Sequence, residues 1–269
     1  MPDPPNSLTG QRTQATAAGV YDWCLQGHHH LPCDAEAAII AQRLFPLAGR
    51  TARYNRDFLQ RTVQWLVRQG VRQFLDIGSG YPTAGNVHEI AQASAPDARV
   101  VYVDLDPDTV AVSNEILAGV PNAVCLQGDL RDPAGILGHP RLGLLDFDRP
   151  VGLLLVSVLP FVPGDAAPLV RRYLERISPG SYLALSHVTP PTDERARRKQ
   201  AELAKAYNAT VKNTARLRTR DEVAALFAGT ELVPPGLGLA THWKPPPQYR
   251  PGHDDEASEV LLGAVARVP

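Results

Sequence analysis

Three short stretches of this chain each end an apolar run in an acid. The first is Phe74-Leu75-Asp76-Ile77-Gly78-Ser79-Gly80, continued by Tyr81-Pro82-Thr83-Ala84-Gly85. The second is Val101-Tyr102-Val103-Asp104 with Leu105 after it, and the third is Gly128-Asp129-Leu130. A strand that delivers an acid and then turns on glycines brings backbone close to a ligand before the next helix. The spacing fails both nucleotide-phosphate signatures. A dinucleotide fingerprint needs glycine where Thr83 stands, and no Gly-Lys-Ser/Thr follows for a phosphate-cradling loop. Carboxylates at three neighbouring strand ends would repel phosphate. They suit a nucleoside with a cationic, non-phosphorylated tail: one accepts from both ribose hydroxyls, another from an adenine amino group, and the first faces an ammonium.

The rhythm of the chain says what must hold these acids. From residue 73 onward, short runs rich in β-branched residues predict strands at 74–77, 100–103, 123–127, 151–156, 182–186 and 260–266. Helical segments fall between them at about 86–95, 107–118, 166–177 and 221–227. Such alternation means an α/β fold with a mostly parallel sheet covered on both faces, and its carboxyl edge is where ligands bind. Residues 11–70 carry helical periodicity instead, at Val20, Trp23 and Cys24, at Ile39, Ile40, Leu44 and Leu47, and at Phe58, Leu59, Val63 and Leu66, the last group placing a helix over about 55–68. These residues read as a helical cap, preceded by a loose leader at 1–10 and followed by a sheet domain at 71–269. A charged stretch at 192–211 reads as a solvated helix or, with residues up to 228, as a lid over the site. The proline-rich segment 234–251 reads as extended loop.

Composition narrows the function classes. The 269 residues are 44% hydrophobic and 20% charged, with a formal net charge of −1, which disfavours a polybasic nucleic-acid or membrane binder. Three cysteines cannot all pair and are too few for a disulfide scaffold. The longest apolar run, 151–162, is broken at Gly152, Ser157 and Pro160 and falls short of the roughly 20 residues a spanning helix needs. The expectation is a cytoplasmic protein with a small-molecule partner, no nucleic acid or membrane partner, and a homodimer left open.

S-adenosylmethionine has the charge pattern that the strand-end acids ask for. The stretch 76–133 resembles the class I methyltransferases that use this cofactor. In detail the chain resembles an actinobacterial family of S-adenosylmethionine-dependent methyltransferase-like proteins once catalogued as a domain of unknown function. The matching runs are Val20-Tyr21-Asp22, FLDIGSGYPTAGNVHEIAQ, ARVVYVDLDP, GDLRDPAGIL, LLDFDRPVGLLLVSVLPFVP and PGSYLALSH. The resemblance implies a seven-stranded Rossmann-like sheet with an antiparallel last strand, its site capped by N-terminal helices. It implies that Asp76, Gly78, Ser79 and Gly80 lie at the methionine end of the cofactor, Asp104 and Leu105 at the ribose, and Asp129 with Leu130 at the adenine. Ser157 would sit near the sulfonium methyl. Tyr21 and Arg56, in the cap, read either as reaching the cofactor carboxylate or, equally, as packing or surface salt-bridge residues.

Two departures fall on the acceptor side. Pro160 stands where relatives often carry a histidine, and Trp23-Cys24-Leu25-Gln26-Gly27-His28-His29-His30 replaces a Gly-Gly-Lys-Asp-like turn. The first reading is a methyltransferase for a small molecule in specialised metabolism. The second is a protein that binds the same cofactor without transferring methyl, as a rearrangement or cyclisation catalyst or a sensor. His187, ending the fifth strand, is the candidate general base, and it reads equally as a histidine that caps that strand edge. His28, His29, His30 and Cys33 do not read as a metal site, since consecutive histidines converge poorly on one ion and no second pair has zinc spacing. His88, in the first turn after the glycine loop, reads as structural.

Overall fold

The computed structural model describes residues 12–82, 85–191, 198, 202, 205, 215–248 and 255–269. The leader at 1–10 and nearly all of the charged stretch at 192–211 lie outside the described residues.

The cap is built from α1 (Ala17–Cys24), α2 (Pro32–Leu44) and α3 (Ala48–Arg68). Thr16 caps α1, its hydroxyl accepting from the Gly19 amide at 3.1 Å, and Pro32 opens α2 where a missing amide costs nothing. α3 begins well before residue 55. Its opening turns are rich in alanine and arginine, good helix formers that carry no apolar period. Within α2 the small residues Ala37, Ala38 and Ala41 face inward while Ile39 and Ile40 are exposed. Alanines let α1 and α2 approach closely, so the two isoleucines mark the outer face.

The sheet comprises β1 (Gln73–Ile77), β2 (Arg99–Asp104), β3 (Ala123–Gln127), β4 (Gly152–Val156), β5 (Tyr182–Val188), β6 (Glu231–Leu232), β7 (Gly238–Leu239) and β8 (Leu261–Arg267). Helices α4 (Val87–Ser94), α5 (Pro107–Ile116), α6 (Pro133–Leu137), α7 (Ala167–Leu174), α8 (Arg220–Ala225) and α9 (Glu256–Glu259) connect and cover it. The spatial order is β3-β2-β1-β4-β5-β8-β6, with β7 also pairing β8; β1 to β5 are parallel and β8 is antiparallel to β5. Among the described residues the sheet thus has eight strands where seven were expected. β6 and β7 have two residues each, too short for any alternation to register in sequence.

Along the strands, Leu75, Val101, Leu153 and Leu183 pack into one core, and Phe74, Val100, Leu154 and Ala184 into the other. Burial on both faces explains why the strands read as continuous apolar runs. The second core closes against α3 through Phe58, Leu59, Val63 and Leu66, which docks the cap onto the sheet. Each such side chain contributes on the order of 2 kcal/mol. The chain leaves β1 toward β2 and β3 and returns to β4 on β1's other side. The carboxyl ends of β1 and β4 consequently part, and the crevice between them is where open sheets of this kind bind ligands.

Candidate active site

A cavity of about 460 Å³ fills that crevice, with the strand ends beneath it and α1 and α3 on the cap side. Asp76, Gly78, Ser79 and Gly80 line it from β1, Asp104 and Leu105 from β2, and Asp129 and Leu130 from β3. Ser157 lines it from β4, and Tyr21 and Arg56 from the cap.

The glycine turn is held tightly. Gly78 has φ +73° and donates to Val103 O at 2.8 Å; a Cβ there would lie 2.1 Å from Val158 Cγ2. Gly80, at φ +63°, donates its amide to Asp104 Oδ2 at 2.9 Å, and the Asp106 amide donates to Oδ1 at 3.0 Å. Each Asp104 oxygen thus takes one hydrogen bond and keeps capacity for a hydroxyl donor. Leu105 is exposed beside it, an apolar plate in the cavity wall. Asp129 is already engaged: Arg131 Nη2 donates to Oδ2 at 2.6 Å, Nε to Oδ1 at 2.9 Å, and the Arg131 amide to Oδ1 at 2.9 Å. Hydrogen bonding to Arg131 holds this carboxyl below its ordinary value. Arg131 also lines the cavity, and nothing in the sequence motif marked it.

The electrostatics fit an amino-acid tail. Burial pushes the Asp76 carboxyl up to about 7, Arg56 opposing and Asp104 adding to the rise. Burial likewise raises Asp104 above the usual carboxylate range. Arg56 is buried, lies 5.5 Å over the Tyr21 ring, and its Nε has no hydrogen-bond partner. An Arg56 Nε without a partner and desolvated acids in one cavity are what a zwitterion would satisfy together.

At the β4 end, Ser157 adopts the left-handed region at φ +55°, uncommon for a residue with a side chain. Its hydroxyl donates to Asn55 Oδ1 at 3.0 Å, and Ser186 Oγ donates to the same oxygen at 2.5 Å. Asn55 was not among the residues expected from sequence. Its signal was a polar residue on the buried stripe of an amphipathic helix.

His187 does not line the cavity. It is buried, with Nδ1 2.7 Å from Val188 O and Nε2 accepting from Arg218 Nη1 at 3.0 Å. Burial, reinforced by Arg218, pushes it down to about 4. Both ring nitrogens are occupied, and that geometry speaks against the general base expected there. His88 is bound to Tyr102, whose hydroxyl lies 2.8 Å from His88 Nδ1 and takes the His88 amide at 2.9 Å. Among the histidine run, the His30 ring and the amides of His29 and His30 all meet Asp22 Oδ2, and the His29 ring stacks on Tyr81. Pro160 and Phe161 line the cavity.

Across residues 5–269 the sequence matches the S-adenosyl methyltransferase family. The chain belongs to this family. S-adenosylmethionine is its cofactor, in keeping with the acids and the free Arg56 Nε at the strand-end cavity. The chain is similar to a DUF574 family protein of Streptomyces avermitilis MA-4680, with 40% identity over 95% of this chain and 98% of that one and a TM-score of 0.87. It is also similar to a Thermobifida fusca YX protein with a provisional methyltransferase assignment, with 33% identity over 96% of both chains and a TM-score of 0.89. No functionally curated protein matches the chain. Among the described residues, no helix is long and apolar enough to cross a membrane.

Proposed function

We propose that the protein transfers the methyl group of S-adenosylmethionine to a small-molecule acceptor in the specialised metabolism of the cytoplasm. The observation that carries this reading is a cavity that joins the acids of β1 to β3 and Arg56 to apolar cap residues and to Ser157 after β4. The cofactor supplies a sulfonium-borne methyl that leaves behind the neutral thioether S-adenosylhomocysteine. This chain's residues bind and orient. Asp76 and Arg56 face the ammonium and carboxylate of the tail, Asp104 takes the ribose hydroxyls, and Leu105 and Leu130 flank the base. In-line displacement needs little beyond alignment and exclusion of water, which is worth several kcal/mol by proximity alone. The near-neutral net charge supports a small acceptor over a nucleic acid.

The test is calorimetry with S-adenosylmethionine and S-adenosylhomocysteine, then screening of acceptors for S-adenosylhomocysteine release. No binding of either defeats the reading. Pro160 in the cavity wall favours a second reading, a non-methylating reaction at the same site. Product formation without S-adenosylhomocysteine would establish that alternative.

A further inference from the structure

Asn55 sets the direction of a hydrogen-bond chain that runs from the cap to the sheet. The Tyr21 hydroxyl donates to Ala52 O at 3.2 Å, so its oxygen is left to accept from Asn55 Nδ2 at 3.0 Å. That fixes Asn55 Oδ1 toward the strands, where it receives the hydroxyl protons of Ser186 at 2.5 Å and Ser157 at 3.0 Å. A serine hydroxyl has one proton, and here it is spent on Asn55. Ser186 is wholly buried, whereas Ser157 lines the cavity. Ser157 Oγ therefore offers lone pairs, and only lone pairs, to whatever lies beside it. Apolar side chains line the same cavity: Val20, Phe45, Pro160, Phe161 and Leu217.

We propose that Ser157, held in this polarity by Asn55, accepts a hydrogen bond from the nucleophilic group of the methyl acceptor. The acceptor is then an uncharged molecule with an apolar frame whose nucleophile carries hydrogen, an amine or a hydroxyl. This rests on the methyltransferase reading. A hydrogen bond through N–H or O–H leaves the nucleophile's lone pair free for attack. That pair forms the new bond to the methyl carbon, the electrons of the broken carbon–sulfur bond stay on sulfur, and the acceptor's hydrogen departs as a proton to water. Asn55 is a positioning residue, acting through Ser157. Tertiary amines and carboxylates cannot make the contact.

The experiment uses the full chain loaded with S-adenosylhomocysteine and four probes, measured by calorimetry. The probes are 2-naphthylamine, 2-naphthol, N,N-dimethyl-2-naphthylamine and 2-naphthoate. The first two are expected to bind about tenfold more tightly than the last two, the size of one good hydrogen bond. Ser157→Gly, which suits the positive φ, should reduce that preference to less than about twofold in protein whose thermal melting shows it folded. Asn55→Asp keeps an oxygen for both serines and should retain the preference; Asn55→Ala should lose it. Equal affinities, tighter binding of the hydrogen-free pair, an unchanged preference in Ser157→Gly, or no binding of any probe overturns the proposal. Failure of S-adenosylhomocysteine itself to bind overturns instead the reading on which it rests.

Discussion

The Asp104 carboxylate accepts the Gly80 amide at 2.9 Å, tying the end of β2 to the glycine turn after β1. The same acid that would hold a ribose thus also shapes the loop beneath the cofactor. Asp104→Ala removes the sugar contact and strands the Gly80 and Asp106 amides. Cofactor affinity should fall about 10- to 100-fold and the melting temperature with it. Asp104→Asn keeps one acceptor oxygen and should lose less stability. A calorimetric affinity within about twofold of wild type would remove the ribose assignment.

Asp76 makes binding depend on pH. Its folded value, about 7, lies above the ordinary 3.8, so without cofactor the protonated form is favoured. Its contribution to stability is complete below pH 3.8 and is lost as pH rises through about 7. The cofactor's ammonium requires the ionised form. Affinity should therefore rise about tenfold between pH 6 and 8, with a proton released on binding. Asp76→Asn should bind weakly and give a flat profile in the same titration.

The His187–Arg218 pair predicts the opposite slope. His187 titrates near 4 when folded and near 6.5 when unfolded. The stability it contributes is present above pH 6.5 and is lost as pH falls toward 4, on the order of 3 kcal/mol. Denaturant unfolding should show that loss, and His187→Gln should flatten it. Arg218 also donates to Leu159 O, Val162 O and Gly164 O, bracing the turn that carries Pro160 and Phe161. Arg218→Ala should cost about 2–4 kcal/mol, since it leaves Val162 O and His187 Nε2 without their donor and takes one donor from Leu159 O and Gly164 O.

Gly19 and Gly78 leave no room for a side chain. A Cβ at Gly19 would lie 2.1 Å from Cγ of Asp34, the acid that collects the Thr16 and Leu31 amides and Arg12. At Gly78 the same atom would meet Val158, and φ +73° adds backbone strain. Gly19→Ala and Gly78→Ala should each lower stability by about 2–4 kcal/mol. Gly78→Ala should also weaken cofactor binding. Melting curves with and without S-adenosylhomocysteine separate the two effects.

The β/α alternation, the strand-end acids and the glycine turn were legible in the sequence because each is a local pattern. A short apolar run rich in β-branched residues, an acid closing it and glycines where φ turns positive all sit within a few residues of one another. The start of α3 and the outward face of Ile39 and Ile40 were not. Alanine carries no period, and which face of a helix is buried depends on what packs against it. The short strands β6 and β7 exist only because β8 is there to pair them.

For the site, the sequence by itself determined which strand ends bear acids, and hence the charge a ligand must bring. Only the tertiary structure decided what each group is free to do. It gave His187 to Arg218, left Arg56 Nε without a partner, and brought Asn55 across more than 100 residues to Ser157. A side chain's chemistry is set by its hydrogen-bond partners and by how much water reaches it. Both are properties of packing between distant segments, and no local pattern encodes them.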